Sequence, residues 1–174
     1  MIRRGFTSPA VPGPVARRPV IGVIGGQRPP PKATEDAEAV GRLVAQAGAV
    51  LVCGGLGGVM EAACRGAKSA GGLTIGILPG GDRIEANPFV DVAVVTGMGT
   101  ARNVIVVRTA DALVAVDGSF GTLSEIAHAL DQGKRVVSLS SWDLSALGVD
   151  PTRILAAKSP EEAVRLALAE AARG

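Results

Sequence analysis

The sequence predicts a three-layer α/β sandwich, in which a mostly parallel sheet is covered by helices on both faces. Three features predict it. Short apolar runs, such as residues 20–24, 49–53 and 73–78, alternate along the chain with segments of helical periodicity. These runs lack the every-other-residue polarity of a strand with one wet face, so each requires cover on both sides, as strands of a parallel sheet have. Several of them lead directly into glycines, at Gly25-Gly26, Gly54-Gly55 and Gly118, which read as tight turns into a following helix.

Met1 to Pro19 has prolines at 9, 12, 14 and 19 and no periodicity; it is expected to be a disordered basic tail, with residues 20–174 forming one domain. Its acid-free Arg and Ser content faintly resembles an organellar transit peptide, but its shortness and its prolines favour a plain tail. Val20–Ile24 is the first strand. Thr34 is the expected cap of the next helix, with Glu35 and Asp36 in its first turn and Ala37, Val40, Leu43, Val44 and Ala47 along one face until Gly48. Ala49–Cys53 is the second strand; it enters Gly54-Gly-Leu-Gly-Gly58 and a helix from about Val59 to Ala70. Leu73–Leu78 and Val92–Thr96 follow as strands, and Gly97-Met98-Gly99-Thr100 opens a helix through about Thr109 that carries Arg102, Asn103 and Arg108. Ala110–Val116 is a further strand, with a helix from Thr122 onward. Arg135–Leu139 and a short run at about Arg153–Ala156 complete the sheet around a turn-rich stretch at Trp142 to Asp150. Ser159-Pro160-Glu161-Glu162 combines a cap, a proline at the first helical position and a capping glutamate for a last helix reaching Arg173.

With 24 glycines and only 2% aromatic residues, the interior is built from small side chains and close backbone contacts. The net charge of +2 is misleading, because Arg3, Arg4, Arg17 and Arg18 lie in the acid-free first eighteen residues; the rest holds 14 basic against 16 acidic side chains. The domain itself is not basic and has no aromatic-and-basic stripe, which argues against a nucleic-acid partner. No uninterrupted apolar run approaches the ~18 residues of a membrane span, so no membrane partner is expected. Cys53 and Cys64 lack CxxC spacing, which fits reduced thiols and a cytoplasmic location. A single histidine, His128, cannot build a metal site, and no metal is expected; it reads as a packed helical residue.

The chemistry concentrates between Ala110 and Leu130. A buried strand, the turn Asp117-Gly-Ser-Phe-Gly121 and a helix start are the elements of an anion seat: glycines let backbone N–H groups approach closely, and the helix start adds partial positive charge. Glu125 sits one turn into that helix, where a carboxylate suits a sugar or another part of a ligand better than its phosphate. Thr122-Leu123-Ser124-Glu125 is equally a capping box, which would give Glu125 a purely local role. In parallel sheets ligands bind beyond the carboxyl ends of the strands, and the turns at Gly25, Gly54 and Gly118 share that edge. The first strand lacks a G-x-G-x-x-G fingerprint with a downstream acid, so an ordinary dinucleotide dehydrogenase is not expected.

Gly54-Gly-Leu-Gly-Gly-Val-Met-Glu-Ala-Ala63 and Asp117-Gly-Ser-Phe-Gly-Thr-Leu-Ser-Glu125 resemble the LOG family, long mislabelled lysine decarboxylases. Asn87-Pro-Phe-Val-Asp91 and Thr96-Gly-Met-Gly-Thr-Ala-Arg-Asn103 resemble its molybdenum-cofactor-carrier-like branch, and the likeness runs from Val20 to about Leu139. It implies a Rossmann-like nucleotide-binding domain. The family's best-known activity removes the base from a cytokinin riboside 5′-monophosphate, with a glutamate and an arginine as the catalytic pair; those roles fall here on Glu125 and Arg102. Gly118, Gly121 and Thr122 match the phosphate-binding part, and Gly54, Gly55, Gly57, Gly58 and Met60 the first motif. The hydrolases begin the second motif with Pro-Gly-Gly-x-Gly-Thr, whereas Asp117 replaces the proline, Ser119 the second glycine, and Asn103 a usual lysine.

These departures shift the expectation toward phosphate-anchored binding of a nucleotide or nucleotide-like cofactor. The alternative is a nucleoside 5′-monophosphate phosphoribohydrolase releasing base and ribose 5-phosphate, and enzyme status stays open. Gly25, Gly26, Asn103, Asp117 and Ser119 join the expected ligand-binding set. No cofactor is required for the hydrolytic chemistry, while the carrier branch implies a bound nucleotide or molybdopterin-type cofactor. The resemblance also implies a homodimer or homotetramer binding a phosphorylated small molecule. Arg108 is expected at the surface or a subunit contact, Arg28 in solvent, and Trp142 as packing or an interface cover.

Overall fold

The computed structural model describes residues 17–173. Seven strands form one sheet: β1 (Val20–Gly25), β2 (Val50–Cys53), β3 (Thr74–Leu78), β4 (Val92–Val95), β5 (Ala112–Val116), β6 (Val136–Leu139) and β7 (Ile154–Ala157). Their order is β4-β3-β2-β1-β5-β6-β7 and every pairing is parallel, so the mostly parallel expectation becomes an entirely parallel, Rossmann-like α/β sheet. Central strands are buried on both faces because helices cover both. On one side α1 (Pro31–Gln46), α2 (Val59–Ser69) and α5 (Pro160–Ala171) pack over Ile21, Val23, Leu51 and Val114. On the other, α3 (Asn103–Thr109) and α4 (Phe120–Asp131) cover Ile24, Val52, Leu113 and Ala115.

Small residues let the layers close. A β-carbon at Gly41 would overlap the Ala63 carbonyl, and one at Gly66 the Glu38 carbonyl, so α1 and α2 meet at backbone distance. Burying the apolar side chains of these two layers, at roughly 25 cal/mol per Å² removed from water, is the main stabilising contribution.

Two helix starts differ from the sequence reading, each by about a turn. The first helix begins at Pro31 with Pro30 as its cap, not at Thr34; a proline's missing N–H costs nothing at the first helical position. Thr34 therefore lies inside the helix with its hydroxyl on the Pro30 carbonyl, and Asp36 pairs with Lys32 one turn back. The helix after β5 begins at Phe120, with Ser119 in extended backbone as cap and its N–H donated to the Thr122 hydroxyl at 3.2 Å. The Thr122-to-Glu125 capping box is thus not formed, and Glu125 is released from that local role. The segment expected as one helix from Gly97 opens as a 3-10 turn, Gly99–Arg102, before α3. The last helix ends at Ala171, two residues short of Arg173, and its capping glutamate does form: Glu162 accepts the Lys158 N–H at 2.9 Å.

The tail expected over residues 1–19 lies mostly outside the described residues. Within them, Arg17 pairs with Asp111 at 2.6 Å and Arg18 Nε donates to the Gly48 carbonyl at 2.8 Å. Among the described residues no helix is long and apolar enough to cross a membrane.

Candidate functional site

The strand order reverses at β1: β2 to β4 lie on one side of it and β5 to β7 on the other. The chains leaving β1 and β5 diverge there, which opens a crevice at the carboxyl edge between Gly25-Gly26 and Asp117-Gly118-Ser119. A cleft of about 180 Å³ lies in it, walled by Gly25, Met60, Arg102, Asn103, Ser119, Gly121, Thr122 and Glu125. A trough of about 360 Å³ continues past Gly26, Asp117 and Gly118.

The structure thus brings most of the expected site residues together, but not all. Gly54, Gly55, Gly57 and Gly58 do not line the cleft. Gly54 lies beneath Arg102, where a β-carbon would overlap the guanidinium and stand 2.8 Å from Met60 Sδ. Gly55 and Gly58 have φ of +74° and +69° and pack on the backbone of Gly76 and of Gly26-Gln27. Within the first glycine motif, Gly54 thus supports Arg102 and Met60. Sequence reasoning missed Gln27, Leu56, Pro79 and Thr100, which also wall the cleft. Leu56 lies inside the first glycine motif, and the other three directly follow a feature already noted: Gln27 a glycine turn, Pro79 a strand end, Thr100 the Gly-Met-Gly opening.

Two buried charges face each other here. Arg102 Nη1 donates to Asn103 Oδ1 at 2.6 Å, Nη2 donates to the Gly54 carbonyl at 3.1 Å, and Nε is buried without an acceptor. Nη1 stands 3.6 Å from Glu125 Oε1, close enough for Coulomb attraction but beyond a hydrogen bond. Burial raises the Glu125 carboxyl, and Arg102 only partly offsets it, leaving its pKa at about 7. Burial likewise pulls Arg102 below its ordinary value, with Glu125 opposing that. Near neutral pH, Glu125 is therefore shared between an acid that can donate a hydrogen bond and a carboxylate that can accept one.

The two helix starts on this rim are unequal as anion seats. At α2 the Val59 N–H is already given to the Gly26 carbonyl at 3.0 Å, and Glu61 stands in the first turn. At α4 the first turn holds no acid. The positive end of the α4 dipole and its leading amides are the better seat, and Asn103 ties that start in place through the Gly121 carbonyl at 3.4 Å. Asp117 has φ of +54°, which proline's ring cannot adopt, so this turn is wound differently from one that begins Pro-Gly-Gly. A β-carbon on Gly26 would lie 3.2 Å from Asp117 Oδ2, which places that carboxylate at the mouth of the crevice.

Arg28, expected in solvent, is exposed but borders the trough. Arg108 is exposed, and His128 is half-buried on α4 outside the cleft. Cys53 and Cys64 are free and buried, with their sulfurs 3.5 Å apart behind the first glycine motif. Trp142 folds back onto the cradle, donating Nε1–H to the Ser119 carbonyl at 3.2 Å.

Comparison with known proteins places this architecture among relatives. An uncharacterized protein of Archaeoglobus fulgidus is 48% identical over 144 residues, 83% of this chain and 91% of that one. The molybdenum cofactor binding protein of Rippkaea orientalis has a TM-score of 0.83 at 40% identity, over 89% of this chain and 98% of that chain. A Moco carrier protein of Chlamydomonas reinhardtii has a TM-score of 0.82 at 35% identity, over 91% of this chain and 100% of that chain. These neighbours share the entirely parallel, LOG-like α/β fold. Residues 18–164 match the SLOG cluster4 family, and the chain belongs to that family.

Proposed function

We propose that this protein binds a phosphorylated, nucleotide-like cofactor of the molybdopterin type, seating its phosphate at the start of α4 and carrying it rather than transforming it. The observation that supports this most is the acid-free α4 N-terminus opening onto a cleft that holds the buried Arg102, whose Nε lacks an acceptor. A buried, unpaired N–H of a cation is costly and is relieved by an arriving anion or by a water it carries. The family membership and the similarity to carrier proteins support the same cargo class. The residues suit such a cargo. The Phe120 and Gly121 amides would hold the phosphate, Arg102 would add charge from below, and Glu125 would exchange hydrogen bonds with the part beyond the phosphate. Redox chemistry would belong to the cargo and be exercised elsewhere.

The test is purification of the chain from cells that make the cofactor, followed by measurement of molybdenum and of oxidised-pterin fluorescence per chain. The expected result is stoichiometric pterin that is lost in Arg102→Met; its absence, with no melting-temperature rise from inorganic phosphate or nucleoside monophosphates, would reject the reading.

The Glu125 pKa near 7 favours one second reading, hydrolysis of a nucleoside 5′-monophosphate. Glu125 would stabilise the oxocarbenium-like sugar and orient water while Arg102 holds the phosphate. Release of free base and ribose 5-phosphate, abolished in Glu125→Gln, would support that reading over the carrier.

We also propose that the protein self-associates. Val92, Val94, Val95 and Met98 leave between 38% and 47% of their surface exposed along the edge strand β4. In register with Ile75 and Ile77, Val92 and Val94 extend the sheet face that α3 and α4 cover elsewhere. A second copy would bury that apolar strip. Sedimentation should give a dimer or tetramer that Val94→Lys dissociates.

A further inference from the structure

The chain has four aromatic side chains, three Phe and one Trp, and two of them stand together at the rim of the crevice. Phe120 is 84% exposed at the first position of α4, and its ring centroid lies 6.3 Å from that of Trp142 with the planes tilted by 31°. Trp142 is not loosely placed. Its Nε1 is tied to the Ser119 carbonyl, and a β-carbon on Gly118 would lie 2.8 Å from its Cδ1 and Nε1, so Gly118 makes room for the indole edge. An exposed Phe120 beside a half-buried Trp142 that is hydrogen-bonded in place, next to an anion seat, is well suited to stack on a flat ring.

The backbone beside this pair is strained. Among the described residues only two non-glycines have positive φ, Asp117 and Ser140, both at +54°. They end the neighbouring strands β5 and β6, and they share one trough of about 340 Å³ with Trp142 and Asp143. Left-handed backbone at a non-glycine costs on the order of 1 kcal/mol and persists where the surroundings demand a particular side-chain direction. Asp143 also lines the larger cavity of about 390 Å³ on the far side of Trp142. One of its oxygens accepts the Ser145 N–H at 2.9 Å. That N–H and the Ser145 hydroxyl hold the Asp143 carboxyl below its usual range, so it stays a pure acceptor.

We propose that Phe120, Trp142 and Asp143 form a subsite for a flat bicyclic ring with an aminopyrimidinone edge, as in guanine or a pterin. The ring face lies against the aromatic pair, and the edge's two adjacent N–H donors meet the Asp143 carboxylate. A carboxylate accepts two parallel N–H groups from such an edge, whereas an adenine edge offers an acceptor where guanine offers a donor. This rests on the phosphate seat proposed above, from which the trough leads to Trp142.

Trp142 is the only tryptophan, so its emission reads the subsite directly. The intact protein is titrated with GMP, AMP, guanosine, 6-hydroxymethylpterin and ribose 5-phosphate, following Trp142 emission and melting temperature. GMP, guanosine and the pterin should quench Trp142, and ribose 5-phosphate should raise the melting temperature without quenching. GMP should bind more tightly than AMP. Asp143→Asn should cut the preference for GMP over ribose 5-phosphate about tenfold, and Phe120→Ala should cut it in the same direction. The ranking of guanosine against the pterin tells which bicycle is preferred. If guanosine quenches in an Asp143-dependent way while ribose 5-phosphate does not bind, the subsite stands and the phosphate seat falls. The subsite is overturned if ribose 5-phosphate binds and no ring compound perturbs Trp142. It is equally overturned if nothing binds, if Asp143→Asn leaves the preference unchanged, or if the emission follows protein concentration alone.

Discussion

Arg102 Nη1 faces Glu125 Oε1 across 3.6 Å inside the sheet's carboxyl edge, with both side chains more than nine-tenths buried. Twenty-two residues separate them along the chain, and they meet because α3, which continues the 3-10 turn, and α4 pack on each other and on the same side of β1. This pair sets the titration of the crevice, and the expected behaviour of the protein follows largely from it.

Stability should fall as the pH rises toward and past 7. The Glu125 pKa is raised, to about 7 in the folded chain from an ordinary value of 4.5, so the folded state binds more protons between those values. The penalty is absent below about pH 4.5, grows through the interval and is complete above 7; its size is on the order of 3 kcal/mol. Glu125→Gln should flatten that slope in urea midpoints measured from pH 5 to 8, and at pH 8 it should be at least as stable as the wild type.

Anion binding should weaken over the same window. A phosphate close to Glu125 favours its protonated form, so binding takes up a proton and loses affinity above pH 7. Calorimetry of inorganic phosphate in buffers of different ionisation enthalpy should show more proton uptake in the wild type than in Glu125→Gln, the phosphate's own ionisation being common to both.

Asp117 tests the winding of the turn. Asp117→Gly relieves the +54° backbone and removes a negative charge from the mouth, and should change stability by no more than about 1 kcal/mol while tightening phosphate binding. Asp117→Pro cannot adopt that φ and should cost about 3 kcal/mol or more in chemical denaturation.

Gly54 tests the scaffold beneath the pair. A methyl group there runs into Arg102 and Met60, so Gly54→Ala should lose about 1–3 kcal/mol of stability and shift the Glu125 titration. A pH-titration of the Glu125 carboxyl by NMR would detect the displaced guanidinium.

Much of this architecture was legible in the sequence. Strands such as Val20–Gly25 and Ala112–Val116 are apolar without alternation, and only a parallel sheet covered on both sides accommodates such runs. Arg102 and Glu125 were paired through the family resemblance of the motifs that carry them, and the fold brings them to one edge, 3.6 Å apart. The helix starts were not legible, because competing starts lie one turn apart. Thr34 is a chemically able cap, but Pro31 starts the helix a turn earlier without one; Thr122 and Ser119 are both able, and there the choice rests on distant contacts. Ser119 is held by Trp142, 23 residues away, and Gly121 by Asn103, 18 residues away. The same return of the chain after β6 placed Trp142 against the cradle, where local sequence marks only a turn-rich loop. The first glycine motif was expected as a ligand contact because glycine turns bind phosphate and support packing with the same residues; in the structure Gly54 packs beneath Arg102.

The most direct test of the central claim is a crystal structure of the protein soaked with a nucleoside monophosphate. Phosphate density within hydrogen-bonding distance of the Phe120 and Gly121 backbone amides, with Arg102 and Glu125 beside it, is the expected result. Phosphate seated at the α2 start instead, or an empty crevice at saturating ligand, would contradict it.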